Sequence, residues 1–253
     1  MLKPLSSVVI VLAMAACASK QAPVAPSPAS PASPASPASP ASPASPAPND
    51  IRWVQDSAEY QAAVIQIYRL VTARVEQAVA KRPAGNWGVV LDADETVLNN
   101  SVYQLERAKQ GLAFSADSWN AWVKRREATP LPGAAAFLNR VRALGGKIAI
   151  VTNRLQSECE DTRAVFDTYK LVFDAMLCRP DGTPSDKNPR FEAVANGSTT
   201  ASSTALDIVA FVGDNILDFP KMAQAARKVG APAFTEFGVR FFLIPNPMYG
   251  SWQ

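Results

Sequence analysis

Apolar positions along this chain repeat at two different periods. Val64, Ile67, Tyr68, Val71, Val75 and Val79 follow the i, i+3, i+4, i+7 spacing within 54–82, which places them on one stripe of an amphipathic helix packed on the core. Short, nearly continuous apolar runs then occur at 88–93, 147–152, 174–179, 207–213 and 240–245, with helix-like stretches between them. Strands that alternate with helices in this way predict a parallel α/β sheet, and such sheets bind ligands at the carboxyl ends of their strands. Between Val97 and Leu131 the pattern breaks. Tyr103 through Glu127 is polar, carries aromatics and has helical composition, so a small helical insertion is expected there.

The chemistry-bearing residues gather where the predicted strands stop. Trp87-Gly-Val-Val-Leu-Asp-Ala-Asp-Glu-Thr96 runs from apolar strand into two carboxylates, Asp92 and Asp94. Alternation along an extended chain would put both on one side, facing one crevice, and Glu95 on the other. The strand Lys147-Ile-Ala-Ile-Val-Thr-Asn153 ends in the hydroxyl of Thr152, Ser185-Asp-Lys-Asn-Pro-Arg190 offers the isolated cation Lys187, and Asp207-Ile-Val-Ala-Phe-Val-Gly-Asp-Asn215 ends in acids, Asp214 and then Asp218. Paired carboxylates, a hydroxyl and a lysine suit phosphoryl transfer, which needs a nucleophile, a proton carrier and fixed positive charge.

That order of motifs resembles the haloacid dehalogenase superfamily. Asp92-Ala-Asp-Glu-Thr-Val-Leu-Asn-Asn100, Ser118-Trp-Asn-Ala-Trp122, Val151-Thr-Asn-Arg154, Gly213-Asp-Asn215 and Ile244-Pro-Asn-Pro-Met-Tyr-Gly-Ser-Trp252 narrow the resemblance to the bacterial class C acid phosphatases, the lipoprotein e type of 5'-nucleotidase. The resemblance implies a Rossmannoid parallel sheet flanked by helices, with a small helical cap at approximately 98–130, within a domain spanning 51–253. It also implies a Mg²⁺-dependent phosphomonoesterase acting on nucleoside monophosphates and other organic monoesters, and it leaves room for a homodimer.

Residue roles follow from the same resemblance. Asp92 becomes the nucleophile that forms an aspartyl-phosphate. Asp94 protonates the leaving oxygen and then deprotonates water. Asp92, the backbone carbonyl of Asp94, and Asp214 would hold Mg²⁺. Thr152 and Lys187 bind phosphoryl oxygens and stabilise the transition state, and Asp218 supports the metal shell or positions Lys187. Trp119 and Tyr249 are the candidates to stack on a nucleobase or aryl group, with Trp122 and Tyr103 as weaker ones. Arg190 would hold the Lys187 loop through a carboxylate. An ionised Asp92 beside a protonated Asp94 calls for an acidic optimum.

Composition removes competing chemistries. The 253 residues include no histidine, which excludes serine-hydrolase triads and phosphohistidine chemistry and leaves carboxylates as the metal donors. Oxygen donors favour Mg²⁺ over Zn²⁺. A formal net charge of +3, without a basic stripe interleaved with aromatics, argues against a nucleic acid polymer as partner. Two other readings compete: an acid phosphatase preferring aryl or sugar phosphates, and a surface lipoprotein that binds a ligand such as haem and keeps only a vestigial site. The intact acid, hydroxyl and lysine set argues against decay, and the missing histidine removes the commonest haem ligand.

The first fifty residues are of another kind. Met1 through Cys17 has one early lysine, a short apolar core and small residues before a cysteine, the pattern of an export signal. Cysteine after Ala15-Ala16 points to lipoprotein processing with Cys17 lipidated, and the absence of an acid after it implies, by resemblance to bacterial lipoproteins, the outer membrane, with the catalytic domain facing the periplasm or the cell surface. Residues 18–50 read as a disordered linker, and Pro23–Pro48 is almost wholly Pro, Ala and Ser in a three-residue repeat. Extended at about 3.1 Å per residue, that repeat would reach on the order of 80 Å. Cys159 and Cys178 remain, and the sequence fits a disulfide between them as well as it fits two reduced, buried thiols.

Overall fold

The computed structural model describes residues 46–253, so the export signal, Cys17 and nearly all of the linker assigned to 18–50 lie outside the described residues. The stripe expected over 54–82 forms two helices, α1 (Asn49–Asp56) and α2 (Ala58–Val79), rather than one. Ser57 divides them. Its hydroxyl accepts the Tyr60 amide at 3.0 Å, capping α2, and donates to the Trp53 carbonyl at 2.6 Å, closing α1. Tyr60, Val64, Tyr68, Val71, Val75 and Val79 form the buried face of α2.

The chain then enters β1 (Trp87–Leu91), in which all five residues are buried. Beyond it lies the insertion, where α3 (Ser101–Lys109) and α4 (Ala116–Arg125) sit between β2 (Leu98–Asn99) and β3 (Thr129–Pro130). Leu98 pairs with Pro130 and Asn99 with Thr129 in a short antiparallel ribbon that closes the insertion at its base. Next come α5 (Ala134–Ala143), β4 (Lys147–Leu155), α6 (Cys159–Thr168), β5 (Ala175–Arg179), α7 (Asn188–Ala195), β6 (Asp207–Gly213) and β7 (Phe241–Leu243). Strand β4 runs three residues past the expected stretch, so Arg154 belongs to it.

The main sheet has the order β5-β4-β1-β6-β7, and every pairing in it is parallel. Alternation divides its side chains between two cores. Val89, Leu91, Ile148, Ile150, Ala210 and Val212 meet α2 and α5 on one face. Val90, Ala149, Val151 and Phe211 meet Phe191 and Val194 of α7 on the other, beside Phe219 and Phe241. With β1 central and chain crossing to β4 on one side and β6 on the other, a crevice opens at the carboxyl ends where the order reverses. Cys159 and Cys178 are joined in a disulfide, with α-carbons 6.0 Å apart, tying the start of α6 to β5. Among the described residues no helix is long and apolar enough to cross a membrane.

Candidate active site

A cavity of about 480 Å³ opens at this crevice, lined at its floor by Asp92, Asp94, Lys187, Asp214 and Asp218. Asp92 continues the ladder one residue past β1, its amide donating to the Val212 carbonyl at 3.0 Å. Strand β1 has ended by then. Asp94 and Glu95 lie on a turn, with Glu95 at φ +48°, so strand alternation is not what sorts these acids. Glu95 does not face the cavity, yet it is not isolated on an opposite face either. Its buried carboxylate accepts the Asn100 amide at 2.7 Å, and the Asn100 side chain links it to Asp94.

Lys187, which directly precedes α7, is 3% exposed and donates to Asp92 and Asp218 at 2.6 Å each. Burial works against its charge, but Asp218 and Asp92 outweigh burial and hold its pKa above the ordinary lysine value. Asp218 also accepts the Asn215 amide at 2.8 Å. Its close approach depends on Gly213, where an added Cβ would lie 2.3 Å from the Asp218 Cβ. Asp214 is fastened by Asn246, whose side-chain amide donates to it at 2.8 Å. Burial pushes Asp92 up to about 7, with Lys187 opposing and Asp218 and Asp94 adding to the rise. Asp214 is raised well above the carboxylate range by burial, then by Asp218 and Asp92.

Beside burial, the largest cause of both shifts, stands an imbalance of charge. Four carboxylates (Asp92, Asp94, Asp214, Asp218) and two cations (Arg154, Lys187) line the cavity, a net of −2 when all are ionised. One oxygen from each of Asp92, Asp214 and Asp218 lies within 4.8 Å of the others. An all-oxygen donor set with two uncompensated negative charges fits a hard divalent cation. Asp218 therefore joins Asp92 and Asp214 in the acidic cluster, whereas the Asp94 carboxylate is turned to Arg154.

Other expected residues are placed unevenly. Trp119 and Tyr249 both line the same cavity as the acids, together with Phe114. Tyr103 and Trp122 are buried behind Trp119, with the Tyr103 ring edge-on to it at 5.2 Å. Thr152 is fully buried and its hydroxyl accepts the Arg154 amide at 3.1 Å, while Asn153 and Arg154 face the cavity. Among the described residues Arg190 binds no carboxylate, contrary to expectation. It donates to the Thr152 carbonyl and to the Asn153 side chain, because the end of β4 lies nearer to it than any acid.

Arg154, Asn100 and Asn246 carry no separate role in the sequence reading, yet each grips a floor carboxylate. Arg154 was within reach of the pattern, since it stands two residues beyond Thr152 on a strand that continues to Leu155. Nothing local marks Asn246, whose partner lies 32 residues away, whereas Asn100 stands in the same motif as Asp94, six residues on.

A parallel α/β sheet with clustered acids and a buried lysine at its carboxyl edge defines a haloacid dehalogenase-like enzyme. A family model described as HAD superfamily, subfamily IIIB (acid phosphatase), matches residues 8–252, and the chain belongs to that family of phosphoric monoester hydrolases. Its structure is similar to that of the class C acid phosphatase from Bacillus anthracis with tungstate bound. The two are 30% identical with a TM-score of 0.70, over 80% of this chain and 84% of that one. A second structure of that Bacillus anthracis phosphatase matches at 29% identity, with the same TM-score of 0.70 and the same coverage of 80% and 84%.

Proposed function

We propose that this phosphatase hydrolyses 5'-nucleotides and other organic phosphomonoesters with Mg²⁺, through an aspartyl-phosphate on Asp92. The observation that carries the reading is one cavity holding both halves of such a substrate's environment. Asp92, braced by Lys187 at 2.6 Å, and the rings of Trp119 and Tyr249 all line it. Aromatic faces tolerate many ring identities, which supports a broad range of nucleobases. Tungstate is a tetrahedral oxyanion like phosphate, and its binding by the Bacillus anthracis relative supports a phosphoryl site here.

In this reading an Asp92 oxygen bonds to phosphorus as the ester oxygen departs with a proton from Asp94. Asp94 then takes a proton from water, whose oxygen bonds to phosphorus and releases Asp92. Lys187 stabilises the charge that develops on the phosphoryl oxygens, and the buried Thr152 hydroxyl, which accepts the Arg154 amide, holds the end of β4 behind it. Asp92, Asp214 and Asp218, with the Asp94 backbone carbonyl, would hold the cation. When bound, a divalent ion neutralises phosphate charge and lowers Asp92, so that the nucleophile is ionised at acidic pH. The helical insertion acts as a cap that shapes substrate choice.

For the N-terminus we propose export, lipidation of Cys17 and an outer-membrane anchor, with the 18–50 segment as tether. The Cys159–Cys178 disulfide supports an oxidising compartment. Incorporation of labelled palmitate that disappears in Cys17→Ser would bear this out, and equal labelling of both forms would refute it.

The function is tested by phosphate release from AMP and nicotinamide mononucleotide, with Mg²⁺ and with EDTA, beside Asp92→Asn. Turnover should require the metal and fall by more than about 10⁴-fold in the variant, as loss of a covalent nucleophile does. Undiminished turnover in Asp92→Asn, or metal-replete silence on both esters, overturns the reading.

A further inference from the structure

Beside the acids lies a polar network that the mechanism above leaves unused. Arg154 is 2% exposed, and its guanidinium meets the Asp94 carboxylate unevenly. Oδ1 accepts Nη2 at 2.8 Å, Nε at 3.0 Å and the Asn100 side-chain amide at 2.9 Å. For Oδ2 there is one long contact among the described residues, Nε at 3.2 Å. The far side of the guanidinium is fixed too, with Nη1 donating to the Thr162 hydroxyl on α6 at 3.2 Å and Nη2 to the Asn100 carbonyl oxygen at 3.2 Å. Asn100 is in turn oriented by the Trp122 indole, which donates to its carbonyl oxygen at 2.9 Å. Asparagine at a helix N-cap ordinarily bonds its own helix. At the N-cap of α3 the Asn100 side chain makes no such bond and is committed to Asp94 instead.

We propose that Arg154, with Asn100, is the positioning residue of the proton-transfer carboxyl. It sequesters Asp94 Oδ1 and leaves Oδ2, the less engaged oxygen of a carboxyl that lines the cavity, as the atom through which the proton moves. The inference rests on the assignment of Asp94 as proton carrier made above. Three donors on one oxygen bind it in either state, because Oδ1 is an acceptor both in the carboxylate and in the acid protonated on Oδ2. The carboxyl can therefore give and take its proton without losing its anchor. In the first step the proton leaves Oδ2 for the ester oxygen as the Asp92 oxygen–phosphorus bond forms and the ester bond breaks. In the second, Oδ2 accepts a proton from water as water's oxygen displaces Asp92. The guanidinium also lies 5.4 Å from the Trp119 ring, so the same arginine backs the aromatic wall.

A leaving-group comparison tests this without depending on titration. An alkyl ester such as AMP needs its departing oxygen protonated, whereas p-nitrophenolate departs unaided, and kcat/KM reports only the step in which it departs. Asp94→Asn should lower kcat/KM for AMP about 100-fold or more beyond its effect on p-nitrophenyl phosphate, in line with the usual contribution of general acid catalysis. Arg154→Met should show the same bias at roughly 10-fold or more, and should add little to it in the Asp94→Asn background. Arg154→Lys, which keeps the charge but loses the fork and preserves a folded protein if the methionine variant does not, should show the bias as well. An Arg154 loss equal on both esters would mean that the arginine binds the phosphoryl group itself, and would overturn the proposal. Absence of bias in Asp94→Asn would instead refute the proton-carrier assignment beneath it.

Discussion

The floor and the wall of the cavity are built in opposite ways. Every charged group of the floor is held by at least one other side chain or amide: Lys187 between Asp92 and Asp218, Asp214 by Asn246, Asp94 by Arg154 and Asn100. The wall is looser. Phe114 is 66% exposed, and its contact is the Trp119 ring at 6.4 Å. The floor stands at the ends of central strands, whose positions are set by two cores, while the wall comes from the insertion and the C-terminal segment. Rigid placement suits bond making, where small displacements are costly, and a peripheral aromatic wall can vary without disturbing it.

The contrast is broken most severely at the floor. Lys187→Met should lower kcat about 10³-fold with far-UV circular dichroism unchanged, since a buried, fixed cation acts on the transition state. A loss below about 10-fold would place the transition-state charge elsewhere.

Next in size is a thermal effect of the cation. Asp92 is raised to about 7 in the fold, against about 4 in an unfolded chain. Between those values the folded protein keeps protons that the unfolded chain releases, so metal-free stability falls as pH rises through the window. A divalent cation replaces the proton, and competes with it poorly at low pH. Mg²⁺ at about 100 times its Kd should add about 2.7 kcal/mol, roughly 5–10 °C in Tm, at pH 7 and less than half of that at pH 5. Equal shifts at the two pH values would separate cation binding from these carboxyls.

The smallest effect belongs to the wall. Trp119→Ala should raise KM for AMP about 10-fold, with kcat and the kinetics on glycerol phosphate nearly unchanged. A matching rise for glycerol phosphate would show that the ring shapes the whole cavity, not the base end, and would favour an aryl or sugar phosphate preference over nucleotides.

How much of this was legible beforehand differs by element. The buried strands were plain because both faces of the sheet are covered, which makes their apolar runs continuous, as in β1. Ser57 was harder to read, since one serine within a helical stripe interrupts no apolar period, and its effect lies in two hydrogen bonds. Glu95 does stay out of the cavity, but a turn at φ +48° puts it there and not strand alternation, which ends with β1 at Leu91. The disulfide could not be decided from a separation of 19 residues, only from the approach of β5 to the start of α6.

The order of acids and hydroxyl along strand ends, with the lysine between them in sequence, was determined by the sequence alone, because apolar periodicity and residue type are local properties. What holds each acid was decided only by the tertiary structure. Asn100 reaches Asp94 over six residues, but Arg154 reaches it over 60, Lys187 reaches Asp92 over 95, and Asn246 reaches Asp214 over 32. Contacts at such separations exist only once the strands are in order, and no local pattern encodes which distant side chain will arrive.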